Sequence, residues 1–362
     1  ITNPSAKYDP EGTAGVINVI LKKSKDQGLS GVMELNGGFK DKYGGEIIGD
    51  LKSQSFQSNI GINYNKRTFG GNENENNWTN DGSTTSYYNS NGSSTRGMKN
   101  YGVRTSFSFD LGDKNTLSLG GRYNNRSHFG SSNLDYSEWT SINLSPEYYI
   151  NNSSENRSGD SYAVFANYLK PFETKGHQLS AEMTFNYSNS ESESINRLFN
   201  LNGIASGLMS TEEGPDKELE AKIDYSLPFN EDTKFETGFQ SEFNSENEIS
   251  ASSVYNTTTG QFEIDHLYDN DGLYKTSEIA LYTMFSSKYE KLGYQFGLRT
   301  EYTGRSIDVA ESDSDFKINR WDYFPSAHLS YEFLAGHQMI TSYTRRINRP
   351  RGWQLEPNKT WQ

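Results

Sequence analysis

The chain has 362 residues and a net charge of −13 at pH 7, and 32% of its residues are hydrophobic although 14% are aromatic. The aromatic content argues against a wholly disordered chain, and the negative charge argues against a nucleic-acid binder, whose phosphate contacts need basic stripes. No run approaches the about 20 apolar residues of a transmembrane helix, and zero cysteines exclude disulfide frameworks and thiolate metal sites.

The first 26 residues differ from the rest of the chain. Residues Asn3 to Lys23 contain a Pro-Glu-Gly turn and then a nearly continuous apolar run from Val16 to Leu21. Such a run after a Gly-rich turn is typical of a strand buried on both faces. We therefore expect Val16 to Leu21 to form a strand within the lumen of a barrel rather than part of its wall, with the loop Gln27-Gly28 carrying the chain to the wall.

From about residue 29 the sequence alternates between apolar and polar positions with a period of two. In the run from Leu179 to Tyr187, for example, alternate residues share one apolar face and the others share a polar face. Several runs have ten to fourteen residues, longer than the about 5 to 6 typical of soluble sheets and suited to a tilted bilayer crossing. The pattern predicts an all-β fold, a partial transmembrane antiparallel β-barrel, with about thirteen strands near 29–40, 43–53, 55–66, 98–111, 115–128, 158–170, 177–190, 217–228, 232–245, 273–288, 292–304, 320–332 and 337–347.

The connections between these strands fall into two populations. Tight turns are predicted on one side, and long polar loops are predicted on the other at 67–97, 129–157, 191–216, 246–272 and 305–319. Outer-membrane barrels have short periplasmic turns and longer extracellular loops, so we expect the long segments to be external. The aromatic residues beside the short turns are expected either to lie at the membrane interface or to pack within their hairpins: Phe172, Phe229, Tyr289 and Phe333.

The alternation also predicts which side chains face lipid. Leu179, Met183, Phe185, Ile223 and Phe239 are expected to face lipid. A charge near the bilayer midplane is costly. The charged residues of the polar face are therefore expected to point into the barrel: Glu182, Glu220, Lys222, Asp224, Glu236, Glu242, Arg299 and Glu301. A soluble β-sandwich would place the same charges in solvent, but the strand lengths favour the barrel.

Two groups of residues in the predicted loops are candidate binding sites. Aromatic side chains among Asn and Ser suit stacking on sugar rings or peptide side chains, although loop packing over the barrel mouth uses the same residues. This group is Trp78, Tyr87, Tyr88, Tyr136, Trp139, Tyr148 and Tyr149. The second group, Asp269, Asp271, Asp313 and Asp315, only partly imitates calcium-loop spacing, so solvated loops are the favoured interpretation and weak cation binding the alternative.

No pattern indicates catalysis. The five histidines are scattered, without His-Glu-x-x-His spacing, and the chain has no P-loop or dinucleotide fingerprint. His328 lies beside serines on a polar face, where a solvated histidine is the ordinary interpretation. We expect neither enzymatic activity nor a cofactor.

Two sequence segments carry a resemblance to a known family. Residues 3–23, NPSAKYDPEGTAGVINVILKK, closely resemble the C-terminal end of the plug domain of TonB-dependent outer-membrane receptors, where a "GVINVI" strand precedes the first barrel strand. Residues 345–358, RRINRPRGWQLEPN, resemble a mid-barrel strand that enters an extracellular loop. The sequence of residues 3–23 is most similar to that of the subgroup of outer-membrane β-barrel proteins with a carboxypeptidase-like N-terminal extension.

The resemblance implies a domain division and a mechanism. Residues 1–26 would be the end of the plug domain, and residues 27–362 the first part of a transmembrane barrel in the outer membrane of a Gram-negative bacterium. A nutrient, which could be a glycan, a peptide or a metal chelate, would pass the barrel when an inner-membrane energy-transducing complex moves the plug. A surface-interaction or assembly barrel that binds a partner through its external loops, such as a surface lipoprotein or another outer-membrane protein, is the alternative function.

The strand count carries a further expectation. The chain begins in mid-motif at Ile1, and thirteen strands would leave two sheet edges without partners, whereas single-chain bacterial barrels have an even count and close on themselves. The family pattern of 22 strands implies about nine further strands after Gln362. Residues 1–362 alone are expected to fail to insert and to aggregate through the unpaired edges.

Overall fold

The fold is a single antiparallel β-sheet. The computed structural model describes residues 5–11, 27–266, 269–309, 316–334 and 336–350. Its strands are β1 (Gly28–Gly38), β2 (Lys42–Lys52), β3 (Phe56–Asn80), β4 (Thr85–Asp110), β5 (Thr116–Thr140), β6 (Glu147–Pro171), β7 (Gln178–Asn200), β8 (Gly203–Pro228), β9 (Lys234–Asn256), β10 (Gln261–Ile264), β11 (Asn270–Tyr289), β12 (Leu292–Val309), β13 (Phe316–Leu334) and β14 (His337–Thr344).

The strand order confirms the predicted all-β fold. Each of the thirteen predicted strands is present, and each pairs with its neighbour in the chain, apart from the additional short strand β10, which pairs only with β9. Within the described residues, β1 and β14 form the two edges of the sheet and have no further strand beside them. No helix in the described part of the chain is long and apolar enough to cross a membrane.

The prediction of long loops is wrong, because most of each predicted loop is strand in the structure. Strands β3 to β9 run through 67–97, 129–157, 191–216 and much of 246–272, and the real connections are the short segments 81–84, 141–146, 201–202 and 257–260. Of the predicted loop 305–319, residues 305–309 and 316–319 are strand, and 310–315 lie outside the described residues. In these extensions both faces are polar, so hydrophobic alternation no longer marks the strand, although cross-strand pairing continues through most of their length.

The two faces of the sheet are chemically distinct, and the cross-strand register defines them. We call the inner face the one against which residues 5–11 lie, since Lys7 forms ion pairs there with Asp224 and Glu236. All eight charged residues predicted to point inward share this face, because Glu182 pairs directly with Lys222, and Glu220 with Glu242. The register from β9 through β11 to β12 places Arg299 and Glu301 on the same face. The predicted segregation is therefore confirmed.

The opposite, outer face carries the apolar side chains. Met183, Phe185 and Ile223 are 51%, 40% and 46% exposed, which is the accessibility of side chains that do not pack against another layer of protein. Leu179 and Phe239 share this face by register. A large exposed apolar surface of this kind requires a nonaqueous neighbour.

A belt of tyrosines crosses the outer face of six successive strands. We define the tyrosine belt as Tyr43, Tyr64, Tyr101, Tyr123, Tyr162 and Tyr187. Ring centroids of neighbouring members lie 5.0 to 6.2 Å apart on β2–β3 and from β4 to β7, and Tyr64 pairs directly with Tyr101 in register. The turns 53–55, 111–115 and 172–177 connect these six strands in pairs at one end of the sheet. Each tyrosine lies about seven to nine residues from the strand end at its turn.

The position of the belt gives the height of the apolar band. Nine residues at about 3.3 Å per residue, tilted by roughly 40°, rise about 23 Å. This agrees with the about 25 Å apolar band of outer-membrane barrels, which aromatic residues bound on both sides. The polar extensions of β3 to β9 lie beyond the belt, and by the same rule this is the external end.

The aromatic residues at the opposite end have two kinds of environment. Phe229, Tyr289 and Phe333 are 61%, 70% and 51% exposed at the ends of their strands. The Phe172 ring instead stacks on His177, with centroids 4.1 Å apart, inside its own turn. The hairpin-packing interpretation therefore applies to Phe172, and Phe333 also stacks on His337 across its own turn, with centroids 6.0 Å apart. Phe229 and Tyr289 have the exposure that an interfacial role needs.

Candidate functional site

A buried group of charged side chains lies on the inner face of β11 and β12, where the N-terminal segment and the residues after β14 meet. Period-two alternation brings Arg299, Glu301, Thr303 and Arg305 of β12 to this face. We call the group formed by Arg299, Glu301, Arg349 and Glu278 the inner charge cluster.

Glu301 is the centre of this cluster. Its side chain is 2% exposed and accepts hydrogen bonds on both carboxylate oxygens, from Arg299 Nε at 2.5 Å and from Arg349 Nη2 at 2.6 Å. Arg349 Nη2 also donates to Thr303 Oγ1 at 3.3 Å. Two guanidinium groups around one carboxylate compensate a buried charge that would otherwise be costly.

The N-terminal segment completes the cluster. Glu11 Oε2 lies 3.3 Å from Arg349 Nη1, and Glu278 Oε2 lies 3.6 Å from the same nitrogen. Glu11 also forms a parallel bridge with Ile347, whose backbone N–H donates to the Pro10 carbonyl oxygen at 3.4 Å. Arg349 therefore joins the wall to a segment that precedes it by more than three hundred residues.

A second contact lies one strand pair away. Lys7 Nζ is 3.5 Å from Asp224 Oδ2 and 4.0 Å from Glu236 Oε1, and Asp224 also accepts a hydrogen bond from the Tyr282 hydroxyl. The Lys7 side chain keeps 26% of its exposure, so this contact is looser than the one at Glu301.

The segment also fits the wall sterically. Ala6 is 5% exposed, and a Cβ added at Gly297 would lie 2.8 Å from the Ala6 Cβ, closer than real Cβ atoms approach. The missing side chain at Gly297 is therefore what allows the segment to lie this close to β12.

The predicted aromatic binding residues lie on strands, near the external ends of β3 to β6, and they divide between the two faces. Trp78, Tyr87 and Trp139 share the outer face, with the Tyr87 and Trp139 rings 5.4 Å apart and nearly parallel. Tyr148 is also on the outer face and is 68% exposed. The seven residues therefore do not converge on a single pocket.

The inner-face members form a continuous stack. The Tyr136 ring lies 5.3 Å from Tyr88 and 4.9 Å from Tyr149, and the Tyr149 hydroxyl donates to Glu138. Burial and a hydrogen bond with Tyr88 raise the pKa of Tyr136 to about 12, and burial together with the Glu138 hydrogen bond also raises the pKa of Tyr149. Both phenols therefore stay protonated at physiological pH and act as neutral donors.

This stack makes a testable contribution to the external tip. Tyr149→Phe keeps the ring contact with Tyr136 but removes the hydrogen bond to Glu138. We expect amide hydrogen exchange at the tip of β5 and β6 to become about fivefold faster, the equivalent of a net hydrogen bond of about 1 kcal/mol. Tyr148→Phe on the opposite face is the matched control, and equal exchange in the two variants would contradict the assignment.

The acidic metal candidates do not assemble a site in the described residues. Asp269 Oδ2 lies 3.0 Å from His266 Nδ1, and Asp271 pairs with Ile249 on the outer face. The described part of the chain contains no group of three His, Asp or Glu side chains placed to hold a metal ion. Asp313 and Asp315 lie outside the described residues, as does the predicted enclosed strand Val16 to Leu21.

Sequence reasoning identified part of the inner charge cluster. Arg299 and Glu301 were among the predicted inward charges, whereas Arg349 and Glu278 were not, and neither was Glu11, which contacts Arg349. Arg349 is separated from Glu301 by 48 residues. The signal in the sequence was a charged residue beside Pro350 in a segment without alternation, which alone does not specify a partner.

The comparison with protein families agrees with the fold. Residues 170–362 match the family model described as the outer membrane protein beta-barrel family. No curated protein matches the sequence. The crystal structure of the ferric yersiniabactin uptake receptor FyuA from Yersinia pestis is similar at 8% identity and a TM-score of 0.26, over 85% of this chain and 66% of that chain. The match thus spans slightly less than two thirds of the receptor's length, and a likeness at this level establishes no shared function.

Proposed function

This chain belongs to the outer membrane protein β-barrel family, and we propose that it is part of a TonB-dependent transporter that takes up a nutrient through a plugged barrel. The family places the chain in the cell outer membrane. The subgroup with a carboxypeptidase-like N-terminal extension is part of this proposal, as is the assignment of residues 1–26 to the end of the plug. No enzymatic step belongs to it.

The observation that carries the proposal is the position of residues 5–11. A segment that precedes the first wall strand lies on the inner face and forms ion pairs with wall residues through Lys7 and Glu11. A covalently attached segment in the interior of a barrel would obstruct the passage. Transport would then require a force that moves this segment.

The ion pairs of Lys7 with the wall are weak enough for residues 5–11 to move. The Lys7 contacts are long and partly exposed, and pairs of this kind contribute about 0–1 kcal/mol. The strongest pairs of the inner charge cluster do not involve residues 5–11: Arg299 with Glu301 lies within β12, and Arg349 with Glu301 connects the residues after β14 to β12. Release of residues 5–11 would break the contact of Glu11 with Arg349 but leave these two pairs in place. An inner-membrane energy-transducing complex is the proposed source of the force.

Deletion of the gene, combined with removal of the proton gradient, tests the proposed transport. We expect a deletion strain to lose growth on one nutrient class at limiting supply, with glycans, peptides and metal chelates as the classes to screen. The full-length gene should restore growth, and uptake of that nutrient should stop when an uncoupler removes the proton gradient. Uptake that continues without the gradient, or unchanged growth on all three classes, would contradict the proposal.

The second candidate function is a surface-interaction barrel, and one observation favours it. Trp78 and Tyr148, near the external ends of their strands, are 69% and 68% exposed on the outer face, away from the interior. Aromatic side chains in this position suit contact with a surface lipoprotein or another outer-membrane protein. Under this function, Trp78→Ala with Tyr148→Ala would abolish partner binding but leave nutrient uptake unchanged.

A further inference from the structure

Two lysines face each other at the external edge of the tyrosine belt. Lys66 of β3 and Lys99 of β4 are direct cross-strand partners, and both share the outer face with Tyr64 and Tyr101, which also pair directly. Side chains directly opposite on neighbouring strands have Cβ atoms about 5 Å apart. Like charges in this arrangement repel, so the pair costs free energy unless an anion lies nearby.

The protein compensates only one of the two charges. Lys66 Nζ forms an ion pair with Asp41 Oδ2 at 3.1 Å, but the Asp41 side chain is 65% exposed. Lys99 forms no ion pair within the described residues, and its strand partner on the other side is Ser127. One positive charge is therefore left over, on a protein whose total charge is −13.

Aromatic rings hold both ammonium groups close to the belt. Lys66 Nζ lies 5.8 Å from the centroid of the Tyr43 ring, and Lys99 Nζ lies 5.6 Å from that of Tyr101. Cation–π contacts at this distance attract the ammonium groups toward the rings. Both ammonium groups therefore lie beside rings of the tyrosine belt on the outer face.

The position of Lys66 and Lys99 along the membrane normal identifies the environment of their ammonium groups. The apolar band ends at the tyrosine belt, and Lys66 and Lys99 are the outer-face residues two positions beyond Tyr64 and Tyr101 on β3 and β4. Rings at a membrane interface mark the level of the lipid headgroups, and basic residues at that level attract anionic lipid. We infer that Lys66 and Lys99 bind a phosphate group of a phosphorylated lipid in the outer leaflet, with the Ser127 hydroxyl as a further donor.

Lys217 provides a matched control within the same chain. It also lies on the outer face, two residues before Leu219, where the apolar run of β8 begins, but its cross-strand partners are Tyr187 and Ser245. It therefore has no lysine opposite it. If exposed lysines at the interface acted only by their general charge, Lys217 would contribute as much as either member of the pair.

The experiment measures bound lipid on the full-length protein that contains this chain. The protein is placed in phosphatidylcholine vesicles doped with diphosphorylated lipid A, and the retained lipid is quantified by mass spectrometry after extraction into detergent. For the double variant Lys66→Ala with Lys99→Ala we expect roughly tenfold to thirtyfold weaker retention, and for Lys217→Ala a change of less than about threefold. The double variant Lys66→Arg with Lys99→Arg should retain the lipid.

Two further measurements separate the possible ligands. Dephosphorylated lipid A should be retained no better by the wild type than by the double alanine variant. Inorganic phosphate in the buffer should not displace the lipid, because a free phosphate lacks the acyl chains that keep it at this height. Equal retention by the wild type and the double alanine variant, or displacement by phosphate alone, would overturn the inference.

Folding is monitored in the same samples. Heat-modifiable migration in electrophoresis should be identical for the wild type, the alanine pair and Lys217→Ala, since the lysines lie on an exposed face. Lipid loss with unchanged migration supports the binding site. Lipid loss that also occurs in Lys217→Ala to the same extent would assign the effect to general surface charge and reject the paired site.

Discussion

Replacing Arg349 with leucine is expected to destabilise the folded wall by about 3–5 kcal/mol, the cost of removing one partner of a buried ion pair. Arg349 is 3% exposed and contacts Glu301 and Glu278, so its removal leaves two carboxylates with less compensation. The measurement is the temperature at which the full-length protein in detergent changes from folded to unfolded migration. That temperature should fall by several degrees.

An exposed inner-face pair is the control for this substitution. Arg104 Nη1 lies 2.9 Å from Glu46 Oε1, but the two side chains are 50% and 33% exposed. Arg104→Gln should therefore change stability by no more than about 1 kcal/mol. If Arg349→Leu and Arg104→Gln lowered the transition temperature equally, the inner charge cluster would not have the role assigned to it.

The sequence predicted the membrane-spanning strands because one face of each touches a nonpolar environment. Outer-face positions from Leu219 to Leu227 are apolar without exception on alternate residues, and the register then assigns every inner residue of β8. The external halves of β3 to β9 carry no such signal. Both faces of these extensions are polar, and only the backbone hydrogen bonds between strands keep them extended. The sequence therefore predicts loops there.

The same error affected the aromatic binding residues. In a loop, Tyr87 with Tyr88 and Tyr148 with Tyr149 are neighbours that could act together. In a strand, consecutive residues point to opposite faces, so each pair is divided between the inner and outer surfaces. A correct strand assignment would have predicted the division without a structure.

The tyrosine belt and the inner charge cluster needed the register and could not be read from local sequence. Members of the belt are spaced irregularly along the chain, and only the cross-strand pairing places them in one row. Glu301 was correctly predicted to point inward from its alternation alone. Its partner Arg349 lies in a segment without periodicity, where nothing local indicates which strand it approaches.

A lysine on the lipid-facing side of β7 is expected to be tolerated far less than a lysine one residue away. Met183 is on the outer face near the middle of the apolar band, about four residues from the tyrosine belt, and its strand partners are Ala166 and Ala221. Met183→Lys should cost about 2–4 kcal/mol, the penalty for a basic residue at the bilayer midplane of a barrel.

Thr184→Lys places the same charge on the inner face, beside Glu182 of its own strand and opposite Glu220. Opposite charges on paired strands attract, so this variant should insert as well as the wild type or slightly better. The measurement is the folded fraction of the full-length protein as a function of urea in lipid vesicles, with both variants at matched expression. Equal stability of the two variants would show that the outer face of β7 does not contact hydrocarbon, because a lipid boundary on one side of the strand is the physical cause of the expected difference.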